Sequence, residues 1–478
     1  MIRTVAVLIA VAAALAGTPG ANAQELFGGK YLPFDQSLSR HQVPKWFHDA
    51  KLGIFIHWGL YSVPAWAPPS GELGKVDPAR WFIQNPYAEW YANTMKIQDS
   101  PTWKHHRETY GEGYDYYRFA EVFQREVGKW DPKAWAALFQ EAGARYVVLT
   151  TKHHDGFTLW PSEIRNPHLP ADRQHANRDL VGELTEAVRA RKMEMGLYYS
   201  GGLDWSFVKD PVMTFMDLFR TAPKSEEYAR YADSHWRELI GRYKPMVLWN
   251  DIGYPEKSGI LQIFADYYNA APEGVINNRF GYHHHDFTTP EYSRYDRIVE
   301  KKWESCRGLG FSFGYNQAEG PEHVLSADEL VDLFVDIVSK NGNLLLNVGP
   351  KPDGSIPELQ ADRLRALGSW LRQNGEAIFE TRPWVVAHGR TTAGGEIRFT
   401  RKGDSLYAIL LARPATSEVT LEKLWPADDT RVALLGHSGA LPWRRSGTDL
   451  TVVLPRELPD SHAYAIKITP LPWKLMRD

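Results

Sequence analysis

One cysteine, Cys306, in 478 residues leaves no partner for an intrachain disulfide. Stability then has to come from a large packed core, which a chain of this length can bury. Neither sign of charge prevails: 55 Lys and Arg stand against 58 Asp and Glu, a formal net charge of -3. That excludes the basic footprint of a nucleic-acid binder, and 43% hydrophobic residues exclude a disordered composition. The apolar run at the N-terminus, Val5 to Ala16, falls short of the roughly 18 to 20 residues a membrane span needs. With Arg3 before it and Ala21-Asn22-Ala23 as a small-x-small site after it, residues 1–23 read as a secretory signal. Cleavage leaves 54 basic residues against 58 acidic ones. The expected mature protein is exported without a membrane anchor, to a bacterial periplasm or, alternatively, to the medium. No internal repeat and no low-complexity tract is found, and no glycine-rich phosphate loop follows the first strand-like run.

What is abundant is aromatic: 18 Trp and 23 Tyr, with 17 His. Flat faces and neutral hydrogen-bonding rings suit either a Trp-rich core or a sugar site. Helical and strand-like periodicities alternate along residues 24–382. "WDPKAWAALFQEAGARYVVLT" offers Asp131 as an N-cap, Pro132 in the first turn, an apolar face of Trp135, Leu138, Phe139 and Ala142, a stop at Gly143, and a strand from Tyr146. The order returns with a helix from about Leu180 and a strand from Met193 to Tyr199. It returns again with the capping-box pair Ser326 and Glu329, the buried strand "GNLLLNVGP", and a helix from about Pro357 to Asn374. Alternating helices and apolar strands predict a parallel sheet covered by helices, and the missing phosphate loop favours a (β/α)8-like barrel over an open doubly wound sheet. Residues 383–478 change to period-two strands and turns, which predict a C-terminal antiparallel β-sandwich.

In a βα barrel the chemistry gathers where strands end. Here those ends are polar and aromatic: His57 and Trp58; His153, His154 and Asp155; Tyr198 and Tyr199, then Asp204 and Trp205; Asp251; Arg279. Glycoside hydrolysis needs two carboxylates, one to attack or activate water and one to protonate the departing oxygen. Asp251, fixed at the end of "PMVLWND" with Trp249 two residues earlier, is the candidate for attack. Glu291, in the Pro-preceded loop "TTPEY", and Glu304, beside Trp303, compete for the second role. A metal is disfavoured, since adjacent histidines such as His153 and His154 point to opposite faces of an extended strand, and His283-His284-His285 has the same defect. No metal and no cofactor is expected. A carbohydrate-binding protein without turnover would need no rigid acid at a strand end.

Taken together, the segments resemble the α-L-fucosidases of glycoside hydrolase family 29: "WFHDAKLGIFIHWGLYSVPAW", "PYAEWY", "YVVLTTKHHDGFTLWPS", "YYSGGLDW", "LWNDIGYP", "KWESCRGLGFSFGYNQAEG" and "NLLLNVGP". The resemblance runs in order through the barrel region and thins in the β domain. It implies a retaining, exo-acting α-L-fucosidase that works through a covalent fucosyl-Asp251 intermediate, with Glu291 as acid/base and Glu304 as the alternative. It also implies sugar contacts from His57, Glu89, Trp90, His153, His154, Tyr198, Trp249 and Arg279. Phe55, Trp249 and Phe313 are placed by their apolar character as a wall for the C6 methyl. The partner expected is a fucosylated oligosaccharide or glycoconjugate. A homo-oligomer is compatible with the sequence, although no interface declares itself.

Overall fold

The computed structural model describes residues 29–475, so the signal expected over 1–23 lies outside the described residues. Seven parallel strands form one curled sheet: β1 (Leu52–Ile56), β2 (Tyr146–Lys152), β3 (Glu194–Ser200), β4 (Val247–Asp251), β5 (Val275–Ile276), β6 (Trp303–Gly308) and β7 (Gly342–Val348), in the order β5-β4-β3-β2-β1-β7-β6. Their residues are buried on both faces, the pattern of a parallel sheet covered by helices. The covering helices start where the sequence predicts. In Pro132–Glu141 the Asp131 side chain accepts from the Lys133 N–H at 2.9 Å, and Ala327–Ser339 opens on a reciprocal Ser326–Glu329 capping box.

The eighth position of the barrel is irregular. Between β5 and β6 the chain makes only isolated parallel bridges, Asn277 with Phe287, Thr288 with Trp303 and Glu291 with Cys306. The carbonyls of Thr288 and Pro290 accept from the Glu304 and Cys306 N–H groups at 2.8 and 3.1 Å. Pro290 has no N–H to return, which prevents a continuous ladder here. Glu291 therefore stands in the barrel wall, opposite Cys306, and not in the loop that its Pro-preceded sequence context suggested.

The C-terminal region is an antiparallel sandwich. A five-stranded sheet runs Arg431–Leu434, Tyr464–Thr469, Ser405–Leu410, Glu396–Lys402, Arg382–Arg390, and a three-stranded sheet packs over it. Period-two alternation lets the strand Ser405–Leu410 serve two cores. Leu406, Ala408 and Leu410 enter the sandwich, while Tyr407 and Ile409 pack against the barrel. Trp370 adds an indole N–H bond to the Ala463 carbonyl at 2.9 Å. Among the described residues no helix is long and apolar enough to cross a membrane.

Candidate active site

The strand ends converge on one cavity of about 210 Å³. Phe55, His57, Glu89, Trp90, His153, His154, Tyr198, Trp249, Asp251, Arg279, Glu291 and Phe313 all line it. Parallel pairing sets Tyr198 beside Trp249 and Ser200 beside Asp251. The Tyr198 and Trp249 rings consequently stack at 5.5 Å, and the Tyr198 hydroxyl donates to Asp251 Oδ2 at 3.0 Å.

Both candidate carboxylates are followed by a residue in the left-handed region, Ile252 at φ 57° and Tyr292 at φ 47°. For a β-branched or bulky residue that conformation costs on the order of 1–3 kcal/mol and persists only where the surroundings impose it. Here they do. The Ile252 N–H turns back to Asp251 Oδ1 at 3.0 Å, and the Gly202 N–H holds the Asp251 carbonyl at 3.0 Å. A Cβ on Gly202 would lie 1.9 Å from the Ile252 carbonyl oxygen, so the second glycine of "YYSGG" is required by this close approach.

Arg279 ties the two acids together. One guanidinium nitrogen donates to Asp251 Oδ1 and the other to Glu291 Oε2, each at 2.9 Å, while Nε donates to Thr289 Oγ1 at 2.9 Å. The same group lies 4.8 Å over the Trp249 ring. Glu291 accepts a further bond from the Tyr87 hydroxyl at 2.8 Å. Two carboxylates thus sit at the two ends of one rigid planar cation, open to a single cavity.

His57 and His154 are neutral acceptors. Asn347 spends its N–H on the Phe313 carbonyl at 2.6 Å, which leaves its Oδ1 to accept the His57 Nδ1 proton at 2.7 Å. Ser200 donates to the Leu203 carbonyl at 2.7 Å and so receives the His154 Nδ1 proton at 2.6 Å. Each ring therefore keeps Nε2 as a lone pair, and that of His154 stands 4.0 Å from Asp251 Oδ2. Burial pushes His57 down to about 3 and carries His153 and His154 well below the ordinary histidine value. β2 has an irregular register near Thr150 to Lys152 and ends at Lys152, so His153 and His154 lie on a turn and both face the cavity, their rings 4.0 Å apart. Burial raises Glu89 to about 7 against bonds from the Gly314 N–H at 2.7 Å and the Ser312 hydroxyl at 3.2 Å.

Glu304 does not reach the cavity. It is fully buried, with one oxygen accepting from the Trp249 indole at 2.9 Å and the other from the Tyr146 hydroxyl at 2.5 Å. Trp58, Asp155 and Asp204 also point elsewhere. Trp58 packs with Trp130 and Trp135, Asp155 accepts from Tyr116 at 2.7 Å, and Asp204 pairs with Lys152 at 2.8 Å where neither is exposed. Sequence reasoning missed Leu73, Trp81, Phe82, Tyr87, Phe215, Leu218, Ile252 and Cys306, which complete the lining. Tyr87 stood inside the quoted "PYAEWY", and nothing local sets it apart from the other tyrosines. Among the described residues, no group of three or more His, Cys, Asp or Glu is placed to hold a metal ion.

Residues 20–376 match the family described as Alpha-L-fucosidase, and residues 390–469 match the Alpha-L-fucosidase C-terminal domain. The chain belongs to the α-L-fucosidases of glycoside hydrolase family 29. Human tissue alpha-L-fucosidase is 33% identical over 462 residues, with 92% of each chain covered. The Thermotoga maritima alpha-fucosidase in complex with a mechanism-based inhibitor shares 47% identity and a TM-score of 0.85, covering 92% of this chain and all of that one. The same enzyme in complex with fucose gives 46% identity and a TM-score of 0.84, over 92% of this chain and all of that one. The barrel-plus-sandwich architecture of this glycoside hydrolase is that of its family.

Proposed function

We propose that the chain removes terminal α-L-fucosyl groups from glycans or glycoconjugates with net retention, using Asp251 as nucleophile and Glu291 as acid/base. The observation that carries this reading is the pair of carboxylates held by the single Arg279 guanidinium at the edge of a one-sugar cavity. At about 210 Å³ the cavity is smaller than the roughly 300–1,000 Å³ of drug-sized pockets, which suits one terminal ring and an exo mode.

In the first half-reaction Asp251 forms a bond to the anomeric carbon as the bond to the leaving oxygen breaks, and Glu291 gives that oxygen its proton. Glu291, then a carboxylate, takes a proton from water as the water displaces Asp251. The strained Asp251–Ile252 turn and the Tyr198, Arg279 and backbone donors fix the attacking group before substrate arrives, so orientation is prepaid. His57 and His154, neutral with Nε2 open, accept from sugar hydroxyls. Phe55, Trp249 and Phe313 form an apolar face, with Phe55 4.9 Å from Trp249 and 6.3 Å from Phe313. Against the C6 methyl of fucose this face selects over a hydroxymethyl by about a hundredfold. Export to an extracytoplasmic compartment is part of the same proposal and rests on the N-terminal segment alone.

Proton NMR of the first-formed free sugar from an aryl α-L-fucoside tests the mechanism. The α anomer of fucose is expected first; the β anomer first would show inversion and remove the covalent step, and no release from any fucoside would remove the function.

A further inference from the structure

Besides the sugar-binding set, Tyr87 and Cys306, the cavity is lined by six residues whose one hydrogen-bonding side-chain group is the Trp81 indole: Leu73, Trp81, Phe82, Phe215, Leu218 and Ile252. The rim beyond is apolar as well. Nine large apolar side chains are exposed among the described residues, and four of them fall within seven positions, Met213 54%, Phe215 43%, Met216 74% and Phe219 72% exposed. A fifth, Ile83 at 38%, adjoins Phe82, whose ring meets Phe215 edge-on at 5.0 Å.

This segment is held in place. Asn93, itself buried, clasps Val212 from both sides, accepting its N–H at 2.7 Å and donating to its carbonyl at 3.0 Å. Asp217 Oδ2 accepts the Met213 and Thr214 N–H groups at 3.0 and 2.9 Å, and Arg220 clamps the other Asp217 oxygen at 2.8 Å. Held by these bonds, Met213, Phe215, Met216 and Phe219 present hydrocarbon to water, and Phe215 and Leu218 of the same segment line the cavity. An exposed cluster of this kind on a folded protein marks a binding surface.

Resting on the fucosidase reading, we infer that this rim is the aglycone site and that it takes a hydrocarbon aglycone, aryl or alkyl, in preference to a second sugar. A second sugar would bring its hydroxyls onto a surface with almost no partner for them and lose their bonds to water. An apolar chain loses only unfavourable contact with water.

The test is kcat/KM for methyl, butyl and octyl α-L-fucosides, whose leaving groups are chemically alike, beside a fucosyl disaccharide. Wild type is expected to favour octyl over methyl by about tenfold or more, with the disaccharide near methyl. In the Met216→Ser/Phe219→Ser variant the octyl-to-methyl ratio is expected to fall several-fold toward one, a ratio that loss of folded enzyme does not move. A ratio near one in an active wild type, or a disaccharide that outruns octyl, overturns this inference alone. A wild type inert on every fucoside overturns it together with the function. Sedimentation that shows a wild-type oligomer dissociated by the double variant would assign the rim to a subunit contact and overturn it as well.

Discussion

Asp251 and Glu304 are acids on two strands of one barrel, and their difference is a matter of depth. Asp251 is the last residue of β4, where the strand surfaces into the cavity, and one of its oxygens shares Arg279 with Glu291. Glu304 is the second residue of β6, well below, with both oxygens taken by Trp249 and Tyr146. At the mouth the carboxylates are hydrogen-bonded on both oxygens as well, but they line the cavity, where a reacting atom can reach them; the floor uses its carboxylate to hold Trp249 under Arg279 and against Tyr198 and Phe55. The same functional group is chemistry at one end of a strand and scaffolding at the other.

Replacing the open acids gives the largest separation between the two ends. Asp251→Gly is expected to lower kcat on an aryl fucoside by at least about 10⁴-fold while circular dichroism stays unchanged, because no attacking group remains. A folded variant that keeps more than a hundredth of the activity would transfer the role elsewhere. Glu291→Ala is expected to cost about 10²–10⁴-fold on alkyl fucosides and far less on those with a good leaving group such as dinitrophenol, with azide restoring turnover. If Glu304→Gln shows that leaving-group dependence and Glu291→Ala does not, the assignments exchange.

The floor should answer in stability. Burial lifts Glu304 from the ordinary glutamate value of 4.5 to about 7. Between those values the folded chain holds a proton that the unfolded chain has released, so this group's contribution is full below about 4.5 and is lost as pH rises through about 7. Urea denaturation of Glu304→Gln beside wild type should therefore show the difference moving in the variant's favour by about 3 kcal/mol between pH 4.5 and pH 8. A difference that stays constant with pH would mean Glu304 is ionised in the fold throughout. The smallest expected effect is at Tyr87, one of two donors to Glu291. Tyr87→Phe should lower kcat/KM about tenfold, the worth of one bond to a charged group, and steady-state kinetics would read it.

Much of the fold was legible. Asp131, Ser326 and Glu329 cap helices as their spacing predicts, and the strand from Met193 to Tyr199 is displaced by one residue at each end, to Glu194–Ser200. Local hydrogen-bonding chemistry and period decide those features, and both are written in consecutive residues. The eighth barrel segment was not legible. Its bridges pair residues 287–291 with Asn277, just past β5, and with β6, and a proline interrupts the period that would have announced a strand. His153 and His154 show a similar gap: alternation predicts opposite faces, but a register irregularity and a turn set both toward the cavity.

By itself the sequence determined which residues end the strands, that a carboxylate follows "VLWN", that the barrel precedes a sandwich, and which family the motifs resemble. These depend on order and period along the chain. Only the tertiary structure decided that Arg279 joins Asp251 to Glu291, that Glu304 lies beneath Trp249 out of reach of the cavity, that Tyr87 reaches Glu291 from 204 positions away, and that Phe215 reaches the cavity rim. The physical reason is common to all four. A side chain's role is set by which groups satisfy it and whether any of its atoms remain open, and those neighbours arrive from distant parts of the chain only when the barrel closes.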